Sequence, residues 1–256
     1  MGIVTPKNQE VTELEGLHLY HGGMSNCSMR VRMTLEEKGL PWTSHHLDLR
    51  KAENITPEYF GIHPKGLVPT LVHDGVVIIE STDIIDYLDK TFGDPPLRPR
   101  NGADQEKMHE WMRLAADNHI HVKTYMFAKQ IGRKMAKTES ELTVYRELQD
   151  NEELREFHAE NSSAEGLSDA RIAHATEVLR DCFAKLEREV GEHEWLVGNS
   201  FSLADVTWVP LYVTLNNAGF PLAEYPNVVR WKDAVRARPS FQKAVLDWVP
   251  EDLIRD

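Results

Sequence analysis

Apolar and polar positions change their period about a third of the way along the chain. Leu17-His18-Leu19-Tyr20 alternates as a short strand does, and the loop HGGMSN leads into an amphipathic helix predicted over about residues 28–38, stopped by Gly39 as a C-terminal cap. TSHHLDL, residues 43–49, reads as a second strand, parallel to the first if the intervening helix is a crossover. Further on, Val68-Pro69-Thr70-Leu71-Val72 and Val76-Val77-Ile78-Ile79 flank an Asp74-Gly75 turn and predict a hairpin. Glu80-Ser81 then opens TDIIDYLDKTF, where Ile84, Ile85, Leu88 and Phe92 recur at helical spacing. The order βαβ then ββα is that of a thioredoxin-like half-domain, predicted over residues 17–97.

Proline and glycine in GDPPLRPRNG interrupt the pattern and place a linker at residues 98–103. Beyond it no strand signal of weight remains, and residues 104–250 are predicted to form an all-helical domain. The fold class is therefore α/β plus all-α. A polar, charge-rich excursion from Thr138 to Gly166 is expected to be partly irregular and mobile. In FSLADV, Ser202 and Asp205 have the spacing of a capping box opening the apolar run DVTWVPLYVTL, a structural role and not a chemical one.

Composition narrows the function. A net charge of −12 on 256 residues, without clustered Lys and Arg, argues against nucleic acid as a partner. No stretch is apolar enough to cross a bilayer, and the start MGIVTPKNQE has neither the basic beginning nor the apolar centre of a secretory signal, so the membrane is excluded and a cytoplasmic location is expected. Two cysteines, Cys27 and Cys182, make no disulfide framework, which fits a reducing compartment. His45-His46 and His119-Ile120-His121 do not share a helix face and no HExxH occurs, so no metal is expected.

Three features of the first domain suit one kind of ligand. Ser25-Asn26-Cys27-Ser28 lies at a helix start, where free N–H groups and the helix dipole favour an anion such as the sulfur of Cys27 or of a bound thiol. Val68 precedes Pro69 at a strand entry, and would expose a backbone edge to an extended peptide if Pro69 is cis. Glu80-Ser81 offers a carboxylate for an amino group and a hydroxyl with N–H groups for a carboxylate. Each alone reads first as a cap or an edge proline; in this order they suit a small peptide with a thiol in its middle and an amino-acid head.

Those motifs, with VPTL, ES and FSLADV, resemble the cytosolic glutathione transferases over about residues 17–247. The resemblance implies glutathione as co-substrate, a dimer of identical or paralogous subunits, and an open cleft between domains for a second substrate. It implies that Val68 pairs with the cysteinyl backbone of glutathione, that Pro69 is cis, and that Glu80 and Ser81 hold the γ-glutamyl group, with Asn26 also on the glutathione side; His63 and Lys65 are nearby without a motif position. SNCSMRVR is similar to a segment of the zeta-class maleylacetoacetate isomerases and of the tetrachlorohydroquinone reductive dehalogenases, in which the cysteine matching Cys27 resolves a glutathione adduct. Ser28, with Met29 and Arg30 after it, also matches a segment of bacterial lignin β-etherases.

Ser28 is expected to stabilise the glutathione sulfur, with Cys27 second. Met24, Asn118, His119 and Tyr125 are the candidates for contact with a small aromatic substrate, and Phe127, Trp208 and Tyr212 add aromatic material, although any one of them taken singly reads first as a residue of the helical core. The expected reaction is attack of the glutathione thiolate on an aromatic electrophile, with β-aryl ether cleavage favoured. Reductive dehalogenation or maleylacetoacetate-type isomerisation is the alternative, and a non-catalytic glutathione-binding protein is the reading from another class.

Overall fold

A computed structural model describes residues 2–149 and 151–250. Five strands form one sheet in the order β1-β5-β4-β2-β3: β1 Ile3–Val4, β2 Leu17–His21, β3 Thr43–His46, β4 Thr70–His73 and β5 Val76–Ile78. β2 and β3 run parallel, as a helical crossover requires, and β4 is antiparallel to β2 and β5. In the hairpin His73 faces Val76, and Asp74 and Gly75 sit at φ 47° and 78°, the left-handed pair that a tight primed turn demands. Gly75 is also required by space, since a Cβ there would lie 2.3 Å from the Thr12 carbonyl oxygen. β1 joins β5 through Ile3 and Val4, upstream of where the sequence pattern begins, because two residues are too few for alternation to register.

The helices are α1 Asn26–Glu37, α2 Pro57–Phe60, α3 Ser81–Phe92, α4 Gly102–Asp117, α5 His119–Met126, α6 Glu139–Leu148, α7 Glu152–Ser162, α8 Asp169–Glu192, α9 Leu203–Asn217, α10 Pro226–Arg236 and α11 Pro239–Ala244. Period-2 alternation sends Leu71 and Ile78 to one face of the sheet, into a core shared with the helical part. Val72 and Val77 go to the other, against Val11, Tyr59 and Ile62.

Helix α1 departs from the amphipathic expectation. It packs on α3, α9 and α11 and is buried almost all round, Arg30 and Arg32 included. A buried guanidinium is tolerable only when its donors are spent. Arg32 spends them on the carbonyls of Ala244 at 2.8 Å, Gly22 at 3.1 Å and Gly23 at 2.7 Å. Glu37, at the other end of α1, takes both forks of Arg238 at 2.6 Å. Helix α1 is thereby clamped between the domains.

The Thr138 to Gly166 stretch is a second correction. It forms α6 and α7, packed on each other. A Thr138–Glu141 capping box opens α6, and the Asn151 side chain accepts from Leu154 N at 3.0 Å to open α7. Leu142, Tyr145, Phe157, His158 and Asn161 are buried within it; the polar surplus is its solvent face.

The FSLADV segment caps α9 as expected. Asp205 is fully buried and accepts from Leu196 N at 3.0 Å, Ser202 N at 2.9 Å, Ser202 Oγ at 3.0 Å and Trp231 Nε1 at 2.9 Å. Burial pushes its carboxyl up from the ordinary value, and these four donors oppose the shift.

Candidate active site

The loop after β2 turns at Gly22, whose carbonyl accepts from Ser25 N at 3.2 Å, and delivers Ser25 to the N-cap of α1. The Ser25 side chain accepts from Ser28 N at 3.3 Å, so its own hydroxyl hydrogen remains free to be donated. Ser25 and Cys27 are half-buried and Met24 is exposed at the mouth of the loop. Ser28, three positions on from Ser25, lies deeper: it is fully buried and its Oγ accepts from Gly22 N at 3.2 Å. The Ser28 hydroxyl is thus turned to the interior of the loop. Asn26 is also turned inward, its Oδ1 accepting from Thr214 Oγ1 of α9.

Pro69 follows a cis peptide bond, and Val68 makes no backbone hydrogen bond within the described chain. Glu80 stands at φ 65°, a left-handed conformation held between the end of β5 and the start of α3. Its carboxylate meets Lys65 Nζ at 2.8 Å across exposed surface. His63 is buried and accepts from Lys65 N at 3.1 Å, and burial lowers it to about 4. Ser81, at the first turn of α3, is buried, and its Oγ accepts from Arg30 Nη1 at 3.2 Å.

Arg30 joins these pieces, a role that sequence reading missed. It is 2 % exposed, donates from Nε to the Thr207 carbonyl at 3.2 Å, and brings Nη1 within 4.0 Å of Cys27 Sγ as well as to Ser81. Burial lowers its pKa from the ordinary value, and the neighbouring Cys27 opposes this. Besides its place in the segment similar to the β-etherases, the sequence signal for it is an arginine three residues after a cysteine, one helical turn on.

The family models match on both sides of this site: glutathione S-transferase, N-terminal domain, over residues 24–91, and glutathione S-transferase, C-terminal domain, over residues 169–234. The chain belongs to the glutathione S-transferase family. It is 28% identical over 252 residues to protein LigF of Sphingobium sp. strain SYK-6, covering 93% of this chain and 96% of that one. The crystal structure of β-etherase LigF superposes with a TM-score of 0.80 at 26% identity, over 89% of this chain and 98% of LigF. The tetrachloro-p-hydroquinone reductive dehalogenase of Sphingobium chlorophenolicum is 25% identical, covering 88% of this chain and 94% of that protein. Glutathione is the substrate of this family, and the cis proline, the unpaired Val68 backbone and the Glu80-Ser81 pair all lie on the thioredoxin-like domain of this transferase.

The second-substrate side differs from expectation. Tyr125 is 6 % exposed and packs edge-on against Phe220 in the core. Trp208 is spent on the Trp111 carbonyl at 3.0 Å, and Tyr212 and Phe127 are likewise buried. Asn118 and His119 are half-buried where α4 passes into α5. Asn118 donates to the Leu114 carbonyl at 2.8 Å, whereas His119 lies beside Arg30. Of the aromatic material, most fills the helical core.

Proposed function

We propose that this transferase ionises glutathione at the N-terminus of α1 and directs the thiolate at an aromatic electrophile, cleavage of a β-aryl ether being the favoured reaction. The observation that carries it is near full-length likeness to LigF in sequence and fold, with matching coverage of both chains. The 17–97 unit would take glutathione and the 104–250 unit the electrophile, with 98–103 as linker. Val68 would pair with the cysteinyl backbone, while Glu80 and the Ser81 hydroxyl take the amino and carboxylate ends of the γ-glutamyl group. Arg30 donating to Ser81 Oγ leaves that hydroxyl's hydrogen for the ligand.

The role expected of Ser28 passes to Ser25, whose free hydroxyl hydrogen and neighbouring α1 N–H groups favour the sulfur anion. In the reaction a C–S bond forms at Cβ as the C–O bond breaks. The phenolate leaves with the bonding pair and takes up a proton. The subunits would pair as a dimer in the cytoplasm.

A racemic β-aryl ether, glutathione and the protein, followed by mass spectrometry, test this reading. The expected outcome is free phenol and a glutathione thioether, surviving Cys27→Ala and lost in Ser25→Ala. No thioether from any β-aryl ether sinks the etherase assignment. The half-buried Cys27, 4.0 Å from Arg30, favours reductive dehalogenation as second reading. That reading requires Cys27→Ala to accumulate an aryl-glutathione adduct from chlorinated hydroquinones.

A further inference from the structure

Arg30 is the first of a row of basic groups that leads away from Cys27 along α5 and beneath α6 and α7. His119 and Lys123 stand one turn apart on α5. Lys123 Nζ donates to His158 Nε2 of α7 at 2.9 Å, and its ammonium lies 4.6 Å from the centroid of the Phe157 ring. Lys137, at the entry to α6, stands over Tyr145. Gln149, following α6, donates to the Lys65 carbonyl at 3.4 Å, so the α6–α7 pair reaches back to the thioredoxin-like domain.

This row lacks the partners that such groups ordinarily have. Among the described residues no carboxylate lies within ion-pair distance of Arg30, Lys123 or Lys137, in a chain whose net charge is −12. The acids that act on Lys123 and Lys137, Glu153 and Glu141 respectively, are exposed. Like charges instead press on one another. Burial, then Lys137, brings Lys123 down to about 7. Burial, then Arg30 and Lys123, brings His119 to about 3, and burial with Lys123 and Lys137 keeps His158 neutral.

Three buried side-chain polar atoms among the described residues have no hydrogen-bond partner, and two belong to this row: Arg30 Nη2 and His158 Nδ1. Their side chains are 2 % and 8 % exposed. With Lys123 protonated, His158 Nε2 accepts from it and the ring proton resides on Nδ1. Both orphans are therefore donors, and an unmade buried hydrogen bond costs about 1–3 kcal/mol. Donors and unpaired cations together call for an acceptor that bears negative charge.

We propose that the Arg30–His119–Lys123–His158 row recognises a carboxylate on the second substrate, so that the electrophile is an aromatic acid. The catalytic part rests on the transferase reading above; the binding part does not. An aromatic acid with its reacting carbon at the sulfur and its carboxylate distal would lie along the row, its charge met by Lys123, which has two further N–H donors beyond the one His158 takes.

Two matched comparisons test this. The first uses 4-chloro-3,5-dinitrobenzoate against 1-chloro-2,4-dinitrobenzene, both of which exchange chloride for the glutathione thiolate, chloride leaving with the bonding pair. The wild type is expected to favour the benzoate in kcat/KM, and Lys123→Gln to lower that preference roughly tenfold, with Lys123→Arg restoring it. The second needs no turnover: calorimetric titration of the glutathione-free protein with 4-phenoxybenzoate and with 4-phenoxybenzamide. Carboxylate binding that is weakened in Lys123→Gln upholds the site even where neither electrophile is turned over, an outcome that would sink only the transferase reading. Equal binding of acid and amide by the wild type overturns the proposal, and this arm requires no variant to fold.

Discussion

At the scale of single residues, the difference between Ser25 and Ser28 shows how three positions along one helix turn separate a site from a support. Ser25 caps α1 half-exposed with a hydrogen to donate, whereas Ser28 spends its oxygen holding Gly22 N in the interior. Ser25→Ala is expected to cut kcat/KM roughly 100-fold, with the loss in kcat. Ser28→Ala should instead destabilise by about 1–3 kcal/mol, seen as a lower urea midpoint with nearly unchanged activity per folded molecule. The reverse pattern would return the sulfur to Ser28. Arg30 could not be recognised beforehand because its importance lies in joining Cys27, one turn back on its own helix, to Ser81 and Thr207 from two distant parts of the chain.

At the scale of elements, α6 and α9 are opened by the same device in opposite surroundings. The Thr138–Glu141 box is exposed, so Thr138→Ala should cost about 1 kcal/mol and show as faster amide exchange confined to α6. The Asp205 carboxylate is buried among four donors. Removing it strands all four, and Asp205→Ala is expected to lower global stability by about 3–5 kcal/mol, measured by denaturant unfolding followed through tryptophan fluorescence. A loss below 1 kcal/mol would mean that Asp205 is dispensable to the α9 junction. The signal for α6 was present in Thr138 and Glu141 but was masked by the charge of its solvent face.

At the scale of the whole molecule, several histidines are held neutral by burial. His21 is fully buried and lowered to about 3, by burial first and then by Arg32, His46 and His45, and His63 is lowered to about 4. As pH falls through 6.5 the unfolded chain takes up protons that the folded one refuses, so stability is full above 6.5 and is lost from there down through the folded values. Each fully buried histidine contributes about 2 kcal/mol of that loss at pH 5, so the urea midpoint should drop clearly between pH 7 and pH 5; an unchanged midpoint would mean these rings are protonated in the fold. What the sequence determined by itself was local and periodic: the βαβ–ββα order, the Asp74-Gly75 turn and the α9 cap, because strand alternation, turn chemistry and capping are written within a few neighbouring residues. Only the tertiary structure decided that α1 is buried all round, that Tyr125 belongs to the core, and that Arg30, His119, Lys123 and His158 form one row. Those outcomes depend on which faces of distant helices meet and on whether a charge finds a partner there, and neither is encoded in any short stretch of chain.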